Sequence, residues 1–92
     1  MILNYYKELG IDTLIEHINE LDYYEENFID TLWNFAIEKD KSFAEKIKKY
    51  KDNKDTMGII KSATLYEDLV NEAMNIFGYK WDKYYEDWRK IK

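Results

Sequence analysis

The chain has 92 residues, 46% of them apolar and 17% aromatic, and a net charge of −5. That length suits one domain (1–92), and that apolar content excludes a disordered chain. The absence of cysteine excludes disulfides, thiolate metal sites and cysteine nucleophiles, and no apolar run of about 18 residues marks a membrane span.

Helical spacing of apolar residues recurs along almost the whole chain, and no useful strand alternation competes with it. The start, MILNYYKELG, lacks a basic stretch followed by an apolar one and does not read as a secretory signal. A first helix is expected from Ile2 to Leu9, ended by Gly10 in a left-handed cap with Ile11 folding back onto Tyr6. Asp12 is the expected N-cap of a second helix, with Leu14, Ile18 and Leu21 on one face.

Asp22 with Glu25 fits a capping box that opens a third helix running to Lys39. Tyr24, Phe28, Leu32 and Phe35 form one stripe on it, and Ile29, Trp33, Ala36 and Ile37 a second. Two adjacent stripes mean a wide buried face, so this is the expected central helix. Ser42 with Glu45 is a second capping box and opens a fourth helix, with Phe43, Ile47 and Tyr50 inward. Residues 52–55 read as a loop.

A fifth helix is expected from Thr56 to Phe77, with Ile59, Ala63, Tyr66, Val70, Ala73 and Phe77 inward. Thr64 with Glu67 is a possible restart within it. Gly78 ends it. Trp81, Tyr85, Trp88 and Ile91 recur at helical spacing and suggest a sixth helix over 80–91. The expected fold is therefore all-α, a bundle of five to six short helices.

Charge is laid out unevenly. From Glu8 to Glu38 there are nine carboxylates and no Lys or Arg, a net of −9. From Lys39 to Lys54, seven lysines against three acids give +4. Asp12/Glu16, Glu16/Glu20, Asp22/Glu26 and Glu26/Asp30 stand four residues apart, and such like-charge pairs cost a helix about 0.2–0.5 kcal/mol each. Two arrangements account for this. Either the basic fourth helix folds against the acidic segment, or the acidic segment faces a basic partner. Opposed surface potentials steer association, which gives the second its chemical sense.

Tyr23 lies inside the acidic run and, with Tyr24 in the core stripe, is expected nearer the solvent as an interface anchor. His17 is the single histidine. Glu16 and Glu20 are near and Glu20 could join it, but one histidine with scattered carboxylates makes a poor metal site, since zinc favours several nitrogen or sulfur ligands. The Gly-rich phosphate loops, the zinc-protease helix motif and the EF-hand loop are all absent. No enzyme activity, metal or cofactor is expected. Lys46, Lys48, Lys49, Lys51 and Lys54 cluster with Tyr50, but the acidic chain as a whole would repel a duplex.

These observations favour a cytoplasmic protein-binding inhibitor of the immunity, antitoxin or phage anti-defence kind, masking the basic surface of a nucleic-acid-handling enzyme such as a nuclease or toxin. Glu16, Glu20, Asp22, Tyr23, Glu25, Glu26 and Asp30 are the expected contact residues, with no direct nucleic acid or membrane contact and a monomer or homodimer as the working unit. The alternatives are a homo-oligomerising scaffold using the aromatic third or last helix, and a nucleic-acid-binding regulator using helix 42–51.

Overall fold

The computed structural model describes residues 2–91, with side chains described over 5–91. Five helices come first: α1 (Ile2–Leu9), α2 (Ile11–Asn19), α3 (Glu26–Lys39), α4 (Phe43–Asn53) and α5 (Ile59–Ile76). Two strands follow, β1 (Tyr79–Asp82) and β2 (Asp87–Lys90), paired antiparallel. The protein is mostly helical, and the all-α expectation is corrected by this hairpin.

Gly10 separates α1 from α2 at φ 94°, ψ 162°, a backbone region essentially reserved for glycine. Its N–H donates to the Tyr6 carbonyl at 2.7 Å, ending α1, and its own carbonyl receives the Leu14 N–H, starting α2. The N-cap of α2 thus falls two residues earlier than the expected Asp12, and Asp12 sits in the first turn of α2.

The third helix starts at Glu26, not after Asp22. Glu25 holds the N-cap position in extended conformation (φ −85°, ψ 132°) and makes no side-chain cap bond. Between Asp22 and Glu25, the Tyr24 hydroxyl accepts a hydrogen bond from Trp88 Nε1 at 3.1 Å, so this stretch is tied to the hairpin and the capping box is not made. Ser42 does precede α4, but its hydroxyl turns back to Asp40 Oδ1 at 2.6 Å, so the second box is not made either.

As expected, α3 is central. It packs against each of the other four helices. Ile29, Leu32, Trp33 and Ala36 are buried on it, while Tyr24, Phe28, Phe35 and Ile37 pack half-buried at its margins. Tyr6 from α1, Leu14, Ile15 and Ile18 from α2, Phe43, Ile47 and Tyr50 from α4, Leu69, Val70, Ala73 and Met74 from α5, and Tyr79 and Trp88 from the two strands complete one core.

Helix α5 begins after Gly58 and runs unbroken through Thr64, whose hydroxyl donates to the Ile60 carbonyl. Its first turns do not enter the core. Ile59 and Ile60 are 88% and 84% exposed and Ala63 is also exposed, contrary to the inward face expected for Ile59 and Ala63. Burial on α5 begins about Leu65.

The segment expected as a sixth helix pairs as Tyr79↔Lys90, Lys80↔Arg89, Trp81↔Trp88 and Asp82↔Asp87. Its spacing suits either structure: Trp81, Tyr85 and Trp88 fall on a helical stripe, while Tyr79 and Trp81 alternate with Lys80 and Asp82. The aromatic-rich composition favours strands, and directly opposed Trp81 and Trp88 meet edge to face with centroids 5.4 Å apart. Asp82 Oδ1 accepts the N–H groups of Tyr84 and Tyr85, which folds the connecting turn. Gly78, at φ 81°, redirects the chain from α5 into β1. Among the described residues no helix is long and apolar enough to cross a membrane.

Candidate partner-binding site

Asp22, Tyr23 and Glu25 lie on the connection between α2 and α3, with Glu16 and Glu20 before it and Glu26 and Asp30 after it. Glu16, Glu20, Asp22 and Glu26 are exposed, Glu25 and Asp30 are half-exposed, and the Tyr23 ring is 71% exposed. The deciding matter is where the lysines go. Lys46 pairs with Glu72 on α5, and Lys48 and Lys49 make no ion pair among the described residues. The basic helix therefore does not thread its lysines among the acids of α2 and the connection.

Compensation is partial and local. Lys7 reaches Glu38 at 3.4 Å, Lys51 reaches Asp30 at 3.3 Å and Lys90 reaches Asp12 at 3.5 Å. Exposed pairs of this kind contribute about 0–1 kcal/mol each. The remaining acids of the window, Glu8, Glu16, Glu20, Asp22, Glu25 and Glu26, have no ion-pair partner among the described residues. Burial first, then Tyr50, Asp30 and Glu26, pushes the Tyr66 hydroxyl up to about 12.

The seven expected residues do not form a single cluster. Asp22 and Tyr23 line a groove of about 410 Å3 against the hairpin, where Trp81, Glu86 and Trp88 form the opposite wall. Glu26 and Asp30 line a second, smaller crevice of about 240 Å3 with Trp33, Tyr50, Lys51 and Tyr66. Tyr24 borders both. Glu16 on α2, Glu20 at its C-cap and Glu25 line neither. Asp30, tied to Lys51, is the one expected contact residue whose charge is met inside the fold.

Comparison of the chain with known protein families, curated proteins and solved structures gives no match. The reading of the site rests on its own chemistry.

His17 Nδ1 is paired with the Tyr6 hydroxyl, not with Glu20. Among the described residues no three His, Cys, Asp or Glu side chains come together to hold a metal. Asp12 accepts from the Tyr79 hydroxyl at 2.7 Å, a bond that, with Lys90, holds its carboxyl below the usual carboxylate range. This cluster fastens the hairpin to α2. On α4, Tyr50 is buried, and Lys46 and Lys51 are engaged with acids, so the lysine cluster is not one open cationic face.

The hairpin side of the groove was missed from sequence because 80–91 read as a helix. The signal for it was present in part: a glycine at 78, then Tyr79 and Trp81 alternating with Lys80 and Asp82, and, past residues 83–86, Trp88 between charged neighbours.

Proposed function

We propose that this protein is a small acidic inhibitor that binds the basic surface of a nucleic-acid-handling enzyme. A single observation carries the reading. Glu16, Glu20, Asp22, Glu25 and Glu26, before and after an exposed Tyr23 in the chain, make no ion pairs among the described residues, although the chain carries fourteen Lys and Arg residues. Enzymes that grip phosphate present positive surfaces, and a helical domain with unpaired carboxylates on its surface imitates the charge they attract. Tyr23 supplies a large ring with a polar tip that loses water on contact. A cytoplasmic role beside such an enzyme, as an immunity protein, antitoxin or phage anti-defence factor, suits this chemistry.

The test is capture of partners on the immobilised wild-type chain and on the triple variant Glu16→Lys, Glu20→Lys, Glu26→Lys, followed by assay of the captured enzyme. The wild type should hold a basic nuclease or related enzyme and reduce its activity at stoichiometric ratio, and the triple variant should do neither. Equal capture and equal inhibition by the two would remove the acidic face from the account.

A second reading, self-association as a scaffold, draws on Ile59 and Ile60, which stand open on the first turn of α5. Light scattering separates the two: a stable oligomer lost in Ile59→Lys, Ile60→Lys supports the scaffold, and a monomer at all concentrations supports the inhibitor.

A further inference from the structure

We infer that the groove between Tyr23 and Trp81 is a receptor for an arginine side chain of the partner. The inference rests on the acidic-inhibitor reading and adds the chemistry of one contact.

The groove combines two features that select the same ligand. Its walls are aromatic: Tyr23 and Tyr24 on the α2–α3 connection, Trp81 and Trp88 on the hairpin. Its charged lining residues are Asp22 and Glu86, one on each side, and no lysine or arginine lines it. Aromatic faces attract cations, and carboxylates at the rim give the cation a counter-charge. A neutral apolar ligand would leave both carboxylates unused, and an anion would be repelled by both. Guanidinium suits the site better than ammonium. It is planar, weakly hydrated, stacks on rings and bonds carboxylates through two nitrogens at once.

The chain uses the same combination elsewhere on the hairpin. Its single arginine, Arg89, lies over the Tyr85 ring at 3.6 Å from the centroid and bonds Asp87 at 2.9 Å. Trp81, 43% exposed, has no such cation over it among the described residues.

Glu86 adds a backbone observation. It sits at φ 55°, in the left-handed region where glycine or asparagine would be easier. The turn carries a carboxylate at a position where geometry alone favours another residue, and that carboxylate lines the groove.

The experiment titrates the 15N-labelled full chain with N-acetyl-arginine methylamide and follows the three tryptophan indole N–H signals. The citrulline and lysine analogues serve as neutral and ammonium controls. The inference predicts saturable shifts at Trp81 and Trp88, little movement at Trp33, no response to citrulline and a weaker response to lysine. Trp81→Leu and Glu86→Gln should each weaken the arginine response several-fold. Glu86→Gly relieves the backbone strain, so it should fold at least as well as wild type and still lose affinity. Silence at Trp81 and Trp88, an equal response to citrulline or lysine, or full affinity in Glu86→Gly would overturn the inference.

None of Glu16, Glu20 and Glu26 lines the groove. Partner capture with that triple variant therefore judges the acidic face separately. A silent groove with capture abolished by the triple variant would sink the arginine receptor alone. A responsive groove with capture unaffected would sink the acidic face alone.

Discussion

Asn19 and Trp88 are joined in both directions: the Asn19 side-chain amide donates to the Trp88 carbonyl at 2.9 Å, and its oxygen accepts the Trp88 N–H at 2.7 Å. The last residue of α2 thus gives β2 the hydrogen bonds that a third strand would give. A two-stranded hairpin is marginal alone. Here it is held by this pair, by Trp88 Nε1 on the Tyr24 hydroxyl and by the Tyr79 hydroxyl on Asp12. The groove between Tyr23 and Trp81 exists because the hairpin is fastened in this way.

Asn19→Ala should therefore cost about 1–3 kcal/mol, the penalty for leaving a part-buried N–H and carbonyl unpaired. Asn19→Asp should cost at least as much, since it sets an oxygen against the Trp88 carbonyl. Urea unfolding measures both. A change below about 0.5 kcal/mol in each would mean the hairpin is held by other contacts.

The two buried tryptophans should differ. Trp33 Nε1 is buried with no hydrogen-bond partner among the described residues, whereas Trp88 Nε1 has Tyr24. Trp33→Phe removes an unsatisfied donor along with some ring area, so its net cost should stay within about 1 kcal/mol. Trp88→Phe breaks a made bond and should cost about 1–2 kcal/mol more. Paired urea melts decide the order, and the reverse order would contradict the assignment.

Gly10→Ala tests the helix break. A side chain added there meets no atom within 4 Å, so only the backbone conformation resists it. The expected cost is about 1–3 kcal/mol, with α1 loosened first. Hydrogen exchange of the α1 amides checks this, and a neutral substitution would show that the positive φ is not required.

Stability should fall at high pH. Burial above all, with the bond to Asp12 second, pushes the Tyr79 hydroxyl up to about 12, and burial does the same for Tyr66. A raised folded value means that the stability these groups supply is full below the ordinary value of 10.0 and is lost as pH rises through about 12. At the acid end Asp12 is lowered from 3.8 chiefly by its bond from Tyr79, so its small contribution is full above that value and fades as pH falls below it. Tyrosinate absorbance and circular dichroism followed together should show unfolding coincident with the last tyrosines to ionise. All nine tyrosines titrating near 10 in a folded chain would contradict it.

Much of the helical architecture was legible because apolar spacing is a direct record of burial. The bounds of α1 matched, and the double stripe on α3 identified the helix that touches all the others. The misses have physical causes. Asp22 and Glu25 have the residue types of a capping box, but Tyr24 between them is engaged by Trp88, 64 residues away, which no local pattern reveals. Trp81, Tyr85 and Trp88 fit a helical stripe as well as a strand pair, and tertiary anchorage by Asn19 favours the strands. Of the site, the acidic run with Tyr23 was legible, while its opposite wall depended on the hairpin.

Ionic strength tests the central claim most directly. The dissociation constant of the captured enzyme should be measured across a range of salt for the wild-type chain and for Glu16→Lys, Glu20→Lys, Glu26→Lys, with circular dichroism confirming that both are folded. The account predicts wild-type binding that weakens steeply with added salt, and a variant at least tenfold weaker with a much shallower dependence. Equal affinities and equal slopes would contradict it.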